Sequence, residues 1–355
     1  MAARNPQGPT VAIVRTDTLE YERIDIRKMV REAIEMLGGI DVFVGHDTRV
    51  FIKPNVVTNV PATAGVTVEP RIVGALVELA REAGARQVWV GDSTVNWSKA
   101  HDVMADLGLI EEVERYGGRI VDLDAVPVAR LDIPNGHAVR CMEVPQPLLE
   151  ADAIIDVAKA KTHMIDGISC CIKNWVGIIP QKTRLQYHQM PRLSQVVVDL
   201  MSRLPPALCV VDALGIGAGE GPLAVESRSM GLVIAGDDPV ATDVVVGQLR
   251  GLGADERLFA YTAYFAGLGE IDMSKVEVRG PTLDDLRVRV RRPIPGLCNR
   301  FPCNVALGGA CWGGLTWLVG TFVTWQRDGT WDRIGEALGK PTFMIGFNAE
   351  DPAFE

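Results

Sequence analysis

ADAIIDVAKAKTHMIDGISCCIKNWVGIIPQKTRLQYHQMPR, residues 151–192, is the stretch on which the reading of the chain turns. It opens with an apolar, strand-like run, Ala153 to Val157, which empties directly into Lys159, Lys161, Thr162 and His163. A second dense patch, Lys173-Asn174-Trp175, follows, and then Lys182, Arg184, Tyr187 and His188. Two of the five histidines of the chain fall here together with four lysines, interleaved with Gly and Cys rather than spaced on an amphipathic repeat. That layout belongs to a site and not to a solvated helix face. On an extended backbone Lys161 and His163 share one face with Lys159.

Outward from this stretch, short unalternated apolar runs recur: Thr10–Val14, Val50–Ile52, Gln87–Val90, Leu208–Val211 and Met230–Ala235. Helical patterns separate them, at Ile24–Leu37, Arg71–Ala83, Lys99–Leu107, Leu193–Leu204 and Val240–Leu249, with Gly84 and Gly108 as stops and Pro239 in a first turn. Strands alternating with helices, and apolar throughout, predict an α/β fold with a mostly parallel sheet covered by helices on both faces. Between Arg119 and Asp156 the pattern loosens into extended pieces, with turns at Pro134-Asn135-Gly136 and Pro145–Pro147. The chain divides into an α/β domain over residues 1–290 and a smaller C-terminal subdomain, 291–355, rich in Cys, Gly and Trp and closing on a strand at Thr342–Ile345.

The useful regularity is where the polar residues fall. Lys53 and Asn55, Asp92 and Ser93, Lys159 with Lys161 and His163, Asp212, and Asp237 with Asp238 each follow an apolar run at once. In open parallel sheets ligands bind beyond the carboxyl ends of the strands, so these residues are expected to converge on one edge. Lysine suits a carboxylate or a phosphate, and becomes a base or nucleophile when desolvation lowers its pKa. Lys161, His163, Lys173 and His188 are therefore the candidate catalytic residues. Lys53, Asn55, Asp92, Ser93, Thr162, Asn174, Asp212 and Asp238 are the candidate substrate-binding residues, while Asp238, just before Pro239, also fits a helix cap.

The run Gly215–Pro222 (GIGAGEGP) reads as a loop with the look of a dinucleotide fingerprint. Pro222 arrives where the cofactor helix should begin, and no acidic residue ends a second strand at the required distance, which argues against a nicotinamide site. No Walker A lysine, nucleophile elbow or HExxH is present. Cys298, Cys303 and Cys311 are the metal candidates, although their spacing fits no zinc or ferredoxin signature and buried structural thiols account for them as well. Phe301–Trp325 carries no charged residue and is long enough to span a bilayer, but five glycines within it favour a packed core segment.

A chain of 355 residues with 47% hydrophobic and 23% charged residues has room for a large core. A net charge of −9 does not favour a nucleic-acid or anionic-membrane partner on bulk electrostatics. A local basic cluster inside an acidic protein points instead to a pocket for a small anionic molecule. The N-terminus has no export signal, and seven irregularly spaced cysteines read as reduced thiols, so a cytoplasmic protein is expected.

At this point the residues resemble a known family, catalogued as domain of unknown function 362. The segments that carry the resemblance, in family order between Val50 and Gly251, are FIKPNVV, TVEPRIVGALVELAREAGARQVWVGDS, DVAKAKTHMIDGISCCIKNWVGIIP with the later YH, VVDALGIGAGEGP and GLVIAGDDPVATDVV. The resemblance implies an α/β domain whose hallmark Lys-Thr-His and Lys-Asn-x-x-Gly motifs fall here on Lys161, Thr162, His163, Lys173, Asn174 and Gly177. Many members carry an attached ferredoxin-like segment with clustered CxxC motifs, which this sequence lacks. The chain is also similar, more weakly, to the lactate racemase family, in which a strand-end lysine and several histidines line a cleft around a nickel-pincer nucleotide.

The expectation is an enzyme acting on a small anionic (carboxylate or phosphate) substrate by proton transfer or cofactor-dependent redox chemistry. Two alternatives stand beside it. One is an iron–sulfur or other divalent-metal protein in electron transfer through Cys298, Cys303 and Cys311. The other is a non-catalytic carrier of an anion or cofactor.

Overall fold

The computed structural model describes residues 8–94, 99–163, 167–189, 193–222, 224–252, 257–291, 304–307, 329–338 and 342–345. Its strands are β1 (Thr10–Arg15), β2 (Arg49–Pro54), β3 (Gln87–Val90), β4 (Arg119–Ile120), β5 (Val128–Asp132), β6 (Cys141–Pro145), β7 (Ala153–His163), β8 (Gly167–Ser169), β9 (Leu208–Glu220), β10 (Ala224–Gly236), β11 (Glu277–Arg279), β12 (Asn304–Leu307) and β13 (Thr342–Ile345). A nine-stranded sheet runs in the order β11-β1-β10-β9-β7-β2-β3-β4, with β8 paired to β7 off that path. The block β9-β7-β2-β3-β4 is parallel throughout. Among its neighbours β10 runs the other way, antiparallel to both β9 and β1.

Helices cover both faces, which is why the strand interiors are apolar without alternation. On one face Ile26–Glu35 and Pro70–Glu82 pack on Val50, Ile52, Ile155 and Val157. The first of these helices buries Ile26, Met29, Val30, Ala33 and Ile34, a stripe at helical spacing. Fully burying one of its large side chains stabilises the fold by roughly 1.5–3 kcal/mol. On the other face Leu193–Met201 and Leu258–Phe265 pack on Phe51 and Ile154, while Pro239–Leu249 packs on the β9–β10–β1 region. The β5–β6 hairpin forms where the extended pieces are expected, and it is antiparallel. The turn at its tip is tied down by Asp199, which accepts hydrogen bonds from the backbone amides of His137, Ala138 and Val139 at 2.9, 2.6 and 3.0 Å.

Two expectations are corrected here. The run Gly215–Glu220 is not a loop but the second half of β9, paired with β10 from Ala224 to Ser229 and reaching Lys161 of β7 through Gly217. Glycine is what lets the strand continue there. A Cβ on Gly217 would stand 2.6 Å from the Gly65 carbonyl oxygen and 2.9 Å from the Lys161 Cβ. The second correction concerns the expected common edge. Because β10 is reversed, Asp237 and Asp238 emerge at the edge where β1 begins, and Asp237 accepts the Thr10 amide at 2.8 Å. Asp238 caps the helix Pro239–Leu249, accepting the amides of Val240 (2.8 Å) and Ala241 (2.9 Å), and its other oxygen takes the Glu270 amide at 3.1 Å.

Strand β13 falls where the sequence places it and pairs in parallel with β12. Residues 304–307 of the uncharged segment are therefore a strand, and the rest of Phe301–Trp325 lies outside the described residues. No helix among the described residues is long and apolar enough to cross a membrane.

Asp238→Ala removes a cap and the Glu270 tie. Urea unfolding is expected to show a loss of about 2 kcal/mol, with the arrangement around Lys161 untouched; unchanged stability contradicts the capping role.

Candidate functional site

Lys53 near the end of β2, Asp92 just beyond β3 and Lys161 near the end of β7 gather beside Lys159 of β7 and its register partner Asp212 in the first half of β9. Strand alternation sorts them. Asp156, Ala158, Ala160 and Thr162 project to one face of β7, and Lys159, Lys161 and His163 to the other.

On the first face a short helix, Cys171–Asn174, lays Asn174 over β2 and β7. Its start is fixed by Asp243, which accepts the backbone amides of Cys171 (2.8 Å) and Ile172 (3.2 Å). The Asn174 Oδ1 accepts from Lys53 Nζ at 2.7 Å and from Asn55 Nδ2 at 3.0 Å. Its Nδ2 donates to Asp156 Oδ1 at 2.6 Å. Lys53 Nζ also reaches Asp92 Oδ1 at 2.8 Å, a fully buried ion pair. Asp92 in turn accepts the amides of Val56 (2.7 Å) and Ser93 (2.9 Å), so it anchors the start of the loop after β2. Burial holds the Asp92 carboxyl above its usual range and the Lys53 amine below its own, each opposed by the partner's charge.

On the second face Lys159 Nζ meets Asp212 Oδ2 at 2.9 Å, both wholly enclosed. Asp212 also accepts the Glu69 and Leu214 amides at 2.8 and 3.1 Å. Lys161 is different. It is 1% exposed, and its Nζ donates to Asn55 Oδ1 at 2.7 Å and to the Val66 carbonyl at 2.6 Å. Among the described residues no carboxylate lies within ion-pair distance of it. Burial holds its amine well below the usual lysine range, and Lys159, Lys173 and Lys53 push it the same way. Asn55 links the two faces, donating to Asn174 on one side and accepting from Lys161 on the other.

The remaining expected residues are placed as follows. Thr162 is buried, and its hydroxyl donates to the Gly219 carbonyl at 2.7 Å, pinning β7 to β9. His163 is buried at the end of β7. Lys173 is buried rather than solvated, with Nζ 5.6 Å from the centre of the Phe259 ring. Ser93 is buried and holds Asp124 and the guanidinium of Arg184, which also donates to the Thr94 carbonyl at 2.7 Å. His188 falls on the helix Gln181–Gln189, and its side chain lies outside the described residues, as do Cys298, Cys303 and Cys311. Asp238 stands at the opposite edge, as above, and does not join the cluster. Sequence reasoning missed Asp156 and Val66. The signal for Asp156 was present, a single acid inside an otherwise apolar strand run; a backbone carbonyl such as that of Val66 leaves no signal.

The geometry explains one glycine. A Cβ on Gly177 would overlap the Asp92 carboxylate and stand 2.6 Å from Lys53 Nζ, so the turn Trp175–Ile178 can close on the Lys53–Asp92 pair only without a side chain.

The chain is thus an α/β protein whose mostly parallel sheet gathers buried lysines and aspartates toward one edge. The chain belongs to the family described as domain of unknown function DUF362, whose model matches residues 50–248. The chain is 27% identical over 243 residues to the thylakoid-associated protein sll1697 of Synechocystis sp., covering 67% of this chain and 73% of that protein. Part of it is similar to the lactate racemase apoprotein of Thermoanaerobacterium thermosaccharolyticum, at 13% identity and a TM-score of 0.38 over 52% of this chain. The chain spans about half (48%) of that structure, and at this level of likeness the match says nothing about chemistry.

Gly177→Ala is expected to destabilise the protein by about 1–3 kcal/mol through overpacking against the Lys53–Asp92 pair. Denaturant unfolding measures it, and a neutral result contradicts the packing described for this turn.

Proposed function

We propose that the chain is an enzyme acting on a small anionic substrate, a carboxylate or a phosphate, with Lys161 as the central group. The observation that carries this reading is a buried amine held by two neutral oxygens, beside three other lysines and, among the described residues, without an acid of its own. A buried Lys53 or Lys159 is accounted for by its aspartate; Lys161 has none among the described residues. An amine in that position has two uses. Neutral, it accepts a proton from a substrate carbon or hydroxyl. Protonated, it offers the charge that an arriving carboxylate or phosphate completes. Asn55 and the Val66 carbonyl aim its Nζ, and His163, two residues on along the same face, is the group to pass the proton onward. Lys173 adds positive field from the neighbouring helix. Membership of the family supports this placement, because its hallmark Lys-Thr-His falls on Lys161, Thr162 and His163, while leaving the reaction open.

The charge state gives the test. The unfolded lysine titrates at about 10.4, whereas the folded amine takes up its proton only at lower pH. Between those values the unfolded chain binds more protons, so this residue's contribution to stability rises with pH. The wild-type unfolding free energy is expected to gain on that of Lys161→Met as pH rises toward about 10. A flat difference means that Lys161 titrates normally. Calorimetry with inorganic phosphate and with small carboxylates, in buffers of different ionisation enthalpy, is expected to show proton uptake on binding to the wild type and none with Lys161→Met. Identical anion binding by the two proteins refutes the assignment.

A further inference from the structure

On the face of β7 opposite Lys161 the structure holds a group that the proposed function does not use. Asp156 of β7 and Cys209 of β9 are register partners on adjacent parallel strands. Cys171, from the helix that carries Asn174, packs over them. The Sγ atoms of Cys171 and Cys209 and a carboxylate oxygen of Asp156 all lie within 4.8 Å of one another, and all three residues are buried. A second trio, Cys170, Cys171 and Asp243, shares Cys171. Asp243 is accounted for by the amides of Cys171 and Ile172. Asp156 is not. Its Oδ1 takes the Asn174 amide, but its Oδ2 is fully buried with no hydrogen-bond partner among the described residues. A carboxyl oxygen left so inside a core costs about 1–3 kcal/mol, more if charged. Protonating it leaves the difficulty in place, because the hydroxyl then lacks an acceptor.

We propose that Asp156, Cys171 and Cys209 form a binding site for a soft divalent cation of the Zn2+ or Fe2+ type, with a fourth donor from Cys170 or Asp243. Two sulfurs select such a cation over Mg2+ or Ca2+. In a tetrahedral site with metal–sulfur distances of about 2.3 Å, donors stand roughly 3.5–3.8 Å apart, so a contraction of about 1 Å closes the trio. The cation supplies the missing partner of Oδ2. Asn174, bonded to the other oxygen of Asp156, then becomes the outer hydrogen bond that orients the carboxylate. Without a cation, burial keeps both thiols protonated, that of Cys209 pushed up to about 12, so loading releases protons. The site does not rest on the role proposed for Lys161.

The test is an anaerobic titration of the reduced full chain with Co2+, followed by thiolate-to-cobalt charge-transfer absorption. Absorption saturating at about one equivalent is expected. It is expected to survive in Cys298→Ser/Cys303→Ser/Cys311→Ser and to weaken by roughly tenfold or more in Asp156→Asn and Cys209→Ser. Asp156→Asn keeps an oxygen for the Asn174 amide, so it decides the matter where the cysteine variant fails to fold. The wild-type chain is also expected to unfold at a higher temperature with excess Zn2+ than with chelator. No thiolate band in the wild type (an adventitious ion only), a band that disappears with the three C-terminal cysteines, or an unmoved unfolding temperature each overturns the proposal.

Discussion

The carboxamide of Asn174 is the junction on which the rest of the site depends. Its oxygen faces two donors, Lys53 and Asn55, and its nitrogen faces the Asp156 carboxylate. No ionised or apolar side chain of that size satisfies both ends, because one end must accept and the other donate. The amide is buried, so each partner lost leaves a group whose desolvation is uncompensated. Its position is inherited from Asp243, which fixes the first turn of the helix, and is passed on through Asn55 to Lys161. A chain of neutral and charged hydrogen bonds thus runs from Pro239–Leu249 across the sheet to the opposite face.

Electrostatics divides the four central lysines by role. Lys53 and Lys159 are each matched by an aspartate that also holds backbone amides, so each ion pair ties a loop to a strand end. Buried pairs of this kind add little net stability against an apolar replacement, yet breaking one by removing a single partner is costly. They therefore work as geometric clamps. Lys173 rests over an aromatic ring. Lys161 is held by neutral oxygens within the described residues, and the clamps on either side keep it there.

Much of this was legible in the sequence, for reasons that particular residues make plain. Apolar runs that end abruptly in Lys, Asp or Asn located Lys53, Asp92, Lys161 and Asp212, because parallel strands covered on both faces leave polar groups room only at their ends. The same rule misplaced Asp238. A strand does not announce its direction, and the reversal of β10 carries that residue to the other edge. Composition misread Gly215–Glu220, since glycine marks a close backbone approach as readily as a turn. The thiol–carboxylate cluster was out of reach, because Asp156, Cys171 and Cys209 are brought together by strand register and a helix turn rather than by spacing along the chain.

The long β9–β10 hairpin has a mechanical consequence. Its two 13-residue arms pair with each other from Cys209 and Gly236 out to Glu220 and Ala224, with one irregularity between Ser229 and Leu232. Its far half is stitched to the end of β7 by the Lys161–Gly217 pairing and by the Thr162 hydroxyl on Gly219. Displacing it would break that pairing and that hydrogen bond, unlike the swing of an untethered loop. The wall beside Lys161 is consequently stiff, and the amine is held next to it by the Val66 carbonyl and the Asn55 side chain.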